Sequence, residues 1–537
     1  MANGTIYDLR DQLAVGQLSR RQFLKRAGAL GISAAATSTL LASATASAAS
    51  RKSGGTLRVC IASGGQTDSL DPTKFLSTGD YARGHSIYNP LVALNPSMEP
   101  IPALAESWES NSTADEWVFK LRKGVTFSNG KDFTSADVLY SLQRHLRPES
   151  ESPGKPLLEQ VTEMTADGAH VVRMKTGSPN ADLPILFTQP QFMISQEGEE
   201  EFVNPSGTGG FIMKEYEVGI YARVERNPNF WGDCYLDALE WITNVDGTAR
   251  MNAMMAGEYD IATEVDRNLI DLVQRAPGVE IVASASGRHT NLAMMADRDP
   301  TSNHDLRQAL KYSIPREQVI TNAFKGYGMV GNDHQVSPTD PFYCDDIPQR
   351  TFDPDKARHH FKKAGMEGAN LTLYTSDMAV SGSEAIALIY AEGAKAAGID
   401  LQVQVAPPGS YWSKVWMQVP LCVSGWDARP TADLMLTIAN KSDGSWNETA
   451  WGSERFDELL VAARGETDAA KRKGMYCEMQ RLLHDDGGVG MLGFYDMIDS
   501  RRDNVVGFDP HPAGYNRDAF SRPISPSLKT KGFVISV

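Results

Sequence analysis

The sequence is poor in several things that would mark an enzyme, a nucleic-acid binder or a membrane span. It has five cysteines in 537 residues (Cys60, Cys234, Cys344, Cys422, Cys477), scattered, odd in number and without a CxxC spacing. That pattern supports neither a thiolate metal site nor a dithiol redox centre. One disulfide is possible in an oxidising compartment, and spacing alone does not say which; buried free thiols are the plainer expectation for the cysteines. The ten histidines are dispersed, and His359-His360, as neighbours on a helix, cannot both face one metal. No GxxxxGK[ST], HExxH or GxSxG pattern occurs. Gly326-Tyr327-Gly328-Met329-Val330-Gly331 fits GxGxxG in letters only. It follows an expected helix (residues 316–324), whereas a dinucleotide site needs a strand before it and a helix after. Positive charge is also short. A formal net charge of −15 argues against nucleic acid or an anionic membrane surface as partner. No apolar run reaches the ~20 residues of a membrane span.

What is present is ordinary globular composition, 41% hydrophobic and 22% charged. The length suggests two to four domains or lobes. The N-terminus differs. Ser19-Arg20-Arg21-Gln22-Phe23-Leu24-Lys25 carries a twin-arginine pattern ahead of a mild Ala/Gly/Leu stretch (27–41), and small residues follow at 44–48. Residues 1–48 are therefore expected to be a twin-arginine signal peptide, leaving a soluble product outside the inner membrane. That segment holds five basic and two acidic side chains, so its removal takes the formal charge from −15 to −18.

Along the remaining chain, strand-like runs (56–62, 116–121, 169–174, 371–374, 400–405) alternate with helical periodicity (134–142, 383–397, 454–464, 469–484). Asn129-Gly130 reads as a hairpin turn, and Thr134 as a helix N-cap. The unit from Leu371 through a helix to Leu401 reads as βαβ and implies a partly parallel sheet. The densest directional chemistry is Gly425-Trp426-Asp427-Ala428-Arg429-Pro430-Thr431-Ala432-Asp433, placed after an expected strand (415–423). An aromatic, two carboxylates and a guanidinium in nine residues suit a ligand-facing loop, although a surface turn over a buried Trp accounts for the same letters. Tyr411, Trp412, Trp416, Trp426, Trp446 and Trp451 crowd the same region and hold five of the nine tryptophans. They read either as core or as the apolar lining of a cleft.

Several segments, in order, resemble the extracellular solute-binding proteins of family 5, which serve ATP-binding-cassette importers of dipeptides, oligopeptides and nickel. They run from Tyr88-Asn89-Pro90-Leu91 through Ala103, Glu106-Ser107-Trp108 and Leu121-Arg122-Lys123-Gly124-Val125 to Phe133-Thr134 and Ala136-Asp137-Val138. Gly207-Thr208-Gly209-Gly210-Phe211 follows, with Gly210 where the family has proline. Arg226-Asn227-Pro228, Leu306-Arg307-Gln308-Ala309-Leu310, Phe352-Asp353-Pro354 and Asn504-Val505-Val506-Gly507-Phe508 continue the match.

The resemblance implies a two-lobed α/β periplasmic-binding-protein-like fold with an extra inserted subdomain. Lobe I would comprise 54–88, 206–298 and 505–537, the inserted subdomain 89–205, and lobe II 299–504. It implies a monomer without cofactor or catalytic residues that binds a small molecule or short peptide and meets ABC permease membrane subunits. Rival readings are a nickel- or haem-type carrier, a chemoreceptor partner and a periplasmic enzyme. The implied ligand contacts are Trp412, Trp416, Trp426, Asp427, Arg429 and Asp433, with Thr73 and Phe75 near the first strand. One departure stands out. Peptide-binding members hold the ligand ammonium with an acid three places after the loop tryptophan, where this chain has Arg429. Three outcomes stay open: Asp427 or Asp433 takes the ammonium, Arg429 takes an anionic end, or Arg429 pairs with Asp433 and shapes the turn.

Overall fold

The computed structural model describes residues 54–506, 508, 511–512 and 534–535. The expected signal peptide, and most of 505–537, lie outside the described residues. Two mixed sheets and one smaller antiparallel sheet organise the chain. In the seven-stranded sheet, Thr56–Ile61 pairs in parallel with both Ala238–Thr243 and Ile261–Ala262. Tyr221–Arg226 and Phe211–Glu217 extend one side, and Met497–Arg502 with Val279–Ser284 the other. Leu57, Val59 and Trp241 sit at its buried face. In the six-stranded sheet, the central strand His289–Met294 lies between Leu421–Trp426 and Val489–Tyr495. Asn370–Thr375 pairs in parallel with Asp400–Val405 around the helix Ser383–Ala396, so the βαβ expectation holds.

The third sheet is four-stranded, with Ala105–Ser110, Glu116–Leu121, Val171–Thr176 and Val161–Ala166 in that order. The strand Glu116–Leu121 buries Trp117, Phe119 and Leu121 and turns Glu116 and Lys120 outward, the alternation of a half-buried strand. Helix Ser135–Leu146 starts on a capping box between Thr134 and Asp137. Arg144 on this helix makes two 2.8 Å hydrogen bonds to the carboxylate of Asp71, a buried pair that fastens this part to the turn Pro72–Lys74 beyond the first strand.

Two details depart from the sequence reading. The chain crosses between the two large sheets at 285–288 and at Asp496, not near 298 and 504. His289–Met294 therefore belongs to the six-stranded sheet and Met497–Arg502 to the seven-stranded one. The reason is burial: all six residues of His289–Met294 are enclosed and its backbone is paired on both sides. Around Asn129-Gly130 the expected turn forms: Thr126 bridges Asp132 in antiparallel sense, Phe127 N donates to Lys131 O at 2.8 Å and Phe133 N to Val125 O at 3.0 Å. The expected helix 316–324 begins as Arg316–Gln318 and continues as a π-helical turn, Val319–Ala323. A disulfide joins Cys344 to Cys477, and Cys60, Cys234 and Cys422 are free. Among the described residues, no helix is long and apolar enough to cross a membrane.

Candidate functional site: an aromatic chamber at the seam of the two lobes

The Gly-Trp pair ends a strand instead of starting a loop. Leu421–Trp426 runs to Trp426, and Trp426 stands opposite His289 on the central strand. Gly425 is required here, because a Cβ would lie 2.4 Å from the carbonyl oxygen of Ala379. The chain then turns through Asp427–Pro430 and enters helix Ala432–Ala439, where Thr431 caps Leu434 N at 3.1 Å. Trp412 and Trp416 come from the segment before the strand, around the short helix Tyr411–Lys414. Tyr411 is fully buried and donates its hydroxyl to Val423 O, fixing that segment on the strand.

These elements enclose a cavity of about 500 Å³, walled by Trp412, Trp416, Trp426, Trp446, Arg429 and Tyr495. Its rings meet mostly edge to face. Trp412 lies 5.4 Å from Trp416, Trp416 6.4 Å from Trp446, and Trp426 5.9 Å from Trp446 between centroids. Trp426 is only 5% exposed, while Trp412 and Trp446 are 44% and 45% exposed. Buried rings thus form the floor and open rings the mouth.

Glu448 orders this floor. It is fully buried, and its Oε2 accepts Trp416 Nε1 at 2.6 Å while its Oε1 accepts Trp426 Nε1 at 2.9 Å and Asn291 Nδ2 at 2.8 Å. A carboxylate holding two indole N–H groups fixes both ring planes. Behind Trp426, His289 stacks on it at 6.4 Å and 9°, and burial lowers its pKa to about 4, leaving it neutral. Glu448 is the residue that sequence reasoning missed. Its position between Trp446 and Trp451, in Trp-Asn-Glu-Thr-Ala-Trp, was the available signal.

The expected contacts divide. Trp412, Trp416, Trp426, Asp427 and Arg429 are brought together at the cavity. Arg429 places its guanidinium 5.8 Å from the Trp426 ring centre and 5.6 Å from that of Trp446. Its only hydrogen bonds among the described residues run to the carbonyls of Asp427 and Ala428. Burial lowers its pKa, partly offset by the charge of Asp427. Asp427 itself is engaged by Arg288 at 3.1 Å.

Asp433 is not in this cavity. It accepts Arg464 Nε at 2.9 Å, so of the three open outcomes the Arg429–Asp433 pair does not form, and Asp433 is not brought to the chamber as the ligand contact the resemblance implied. The first turn of helix Ala432–Ala439 carries it towards Arg464 on the next helix, Glu454–Gly465. Thr73 and Phe75 are also elsewhere. Thr73 donates to Asp71 Oδ1 at 2.9 Å, and Phe75 is fully buried in the first lobe's core against Gly84. An aromatic this enclosed has no face left for a ligand.

A second cavity of about 410 Å³ lies between the lobes, walled by Arg250, Glu264, Arg267, Arg288, Tyr495 and Asp496 among others. Tyr495 belongs to both walls, so the two chambers adjoin. This is where the chain crosses between the sheets: Tyr495 N donates to Arg288 O at 2.9 Å and Ser286 Oγ to Tyr495 O at 2.7 Å. Away from both chambers, Cys344, Asp346 and Cys477 are the one group of three metal-capable side chains found among the described residues, and the two thiols are joined as the disulfide.

Two sheet-based lobes, with an aromatic chamber on the second that adjoins the cavity between them, have the architecture of a two-lobed α/β binding protein. The family model for bacterial extracellular solute-binding proteins, family 5, matches residues 99–447, and the chain belongs to that family. The glutathione-binding protein GsiB of Escherichia coli (strain K12) is 25% identical over 471 residues, covering 84% of this chain and 91% of that protein. Among solved structures, DppA of Helicobacter pylori in complex with the peptide STSA is similar at a TM-score of 0.69 and 21% identity, covering 90% of this chain and 99% of that one. A nickel ABC transporter structure from Bacillus halodurans is similar at 0.75 and 23%, covering 86% and 98%.

Proposed function

We propose that this protein is the substrate-binding component of an ABC importer, exported by the twin-arginine route to the periplasm. There it would capture a short peptide or peptide-like, amino-acid-derived compound carrying a carboxylate and deliver it to membrane permease subunits. The observation that carries the ligand class is Arg429: a guanidinium on the chamber wall, without an acid partner among the described residues. Such a group favours a ligand carboxylate over an ammonium. The family supports transport, and the named ligands of relatives, glutathione for the E. coli protein and the peptide STSA for the H. pylori one, support a peptide-like solute. Residues from both lobes wall the second chamber, so a ligand touching both favours the closed arrangement by its differential affinity for it. Binding proceeds without turnover, and the proposed working form is a monomer.

Thermal shift of residues 49–537 against di- and tripeptides, N-acylated peptides, amino-acid-derived acids and nickel tests this. Ligand at 100 times Kd should stabilise by about 2.7 kcal/mol, a few degrees for a chain of this size. Stabilisation by nickel alone would move the assignment to a metal carrier. Hydrolysis of any panel member would move it to an enzyme.

A further inference from the structure

The polar chamber beyond Tyr495 presents unpaired charge of both signs. Glu264 follows the short interior strand Ile261–Ala262 and holds φ of +55°, a conformation that non-glycine residues adopt at a cost. Two contacts keep it there: its N–H donates to Asp499 Oδ1 at 2.9 Å, and its carbonyl accepts Arg250 Nη2 at 2.7 Å. Its side chain makes no hydrogen bond or ion pair among the described residues. The held backbone therefore leaves, on the wall of the chamber, a carboxylate without a protein partner among the described residues.

Arg267 is the complement. Its guanidinium lies over Phe324 at 5.2 Å and Tyr495 at 4.7 Å, its Nε is buried without a partner, and no acid lies within ion-pair distance among the described residues. The other cations of the wall are committed. Arg250 donates to the carbonyls of Thr263, Asn244 and Glu264, and Arg288 holds Asp427.

We infer that the ligand spans Tyr495 and carries one free amine and two carboxylates: an α-amino-acid head in the polar chamber, its ammonium on Glu264 and its carboxylate on Arg267, and a second carboxylate at Arg429 in the aromatic chamber. This rests on the importer reading above and names the substrate class within it. The ammonium partner then comes from the first lobe and the distal anion's partner from the second, so the ligand bridges the seam.

The test is calorimetric titration of S-methylglutathione, its N-acetyl derivative and its glycine carboxamide into wild type, Glu264→Gln and Arg429→Gln. Glu264→Gln should weaken the free-amine ligand about 10- to 100-fold, the worth of one charge-assisted hydrogen bond, and leave the N-acetyl ligand's weaker affinity nearly unchanged. Arg429→Gln should do the same to the free acid and not to the carboxamide. Equal losses for both members of a pair, or none, overturn the inference. Tight wild-type binding of an N-blocked monoanion in place of these ligands overturns it while leaving the importer reading intact. Silence of the wild type towards every peptide-like probe removes both.

Discussion

At the scale of single residues, the site depends on one buried carboxylate. Glu448 satisfies two indole N–H groups and Asn291 at once, so Glu448→Ala leaves two buried donors, on Trp426 and Asn291, and the half-buried one of Trp416 without an acceptor. Each unsatisfied group costs about 1–3 kcal/mol. Glu448→Ala should therefore lower the unfolding midpoint in urea markedly and also weaken ligand binding, because Trp416 and Trp426 lose their fixed planes. A variant with unchanged midpoint and affinity would show that the rings are held by packing alone. A second prediction concerns pH. Burial lowers the pKa values of His145 and His289 to about 4 and of His334 to about 3. The unfolded chain, with histidine near 6.5, then binds more protons in the interval, and stability rises with pH across it. Their contribution is complete above about pH 6.5 and is lost as pH falls towards 4. Asp340, raised by burial to about 6, acts in the opposite sense between about 3.8 and 6, as do Asp433, Asp496 and Glu199, also raised by burial, while His484, lowered by burial, adds to the three histidines. Calorimetric scans from pH 7 to 4.5 should show the melting temperature falling.

At the scale of elements, much of the fold was legible. The strand Glu116–Leu121, the cap at Thr134 and the βαβ unit around Ser383–Ala396 follow local rules of alternation, capping and period, and they appear where those rules place them. The hydrogen bond from Trp426 to Glu448 obeys no local rule, since 22 residues separate the partners. The carbonyl of Ala379 that explains Gly425 is likewise distant in sequence. Arg429 was legible as a departure from pattern, but its freedom from Asp433 depended on where Arg464 lies. Two substitutions address this scale. Gly425→Ala forces a Cβ against the Ala379 carbonyl and should cost about 1–3 kcal/mol, read as a lowered urea midpoint. Reducing Cys344–Cys477, which closes a separation of 133 residues, should remove up to about 4–5 kcal/mol by loop entropy. A melting temperature unmoved by reductant would show that the disulfide is not formed.

At the scale of the whole molecule, the chain crosses between the large sheets twice, at 285–288 and Asp496, and the crossings are hydrogen-bonded to each other. Such short crossings leave no composition change for sequence reading to find, which is why the expected boundaries fell about ten residues late. A third link joins the four-stranded part to the second lobe. Arg472 makes two hydrogen bonds, 2.7 and 2.5 Å, to the Asp182 carboxylate, with both side chains under a tenth exposed. Asp182→Asn leaves Arg472 buried without its acid and should destabilise by about 3–5 kcal/mol. Full retention of stability would mean that Arg472 finds water or another acid.

The most direct measurement is tryptophan fluorescence of residues 49–537 during titration with peptide-like ligands, in wild type and in Trp426→Phe. Four of the nine tryptophans wall the aromatic chamber, so a ligand seated there must change their emission saturably, and the change should shrink in the variant along with affinity. Calorimetric binding that leaves the emission untouched, in wild type and variant alike, would place the ligand elsewhere and contradict the assignment of this chamber.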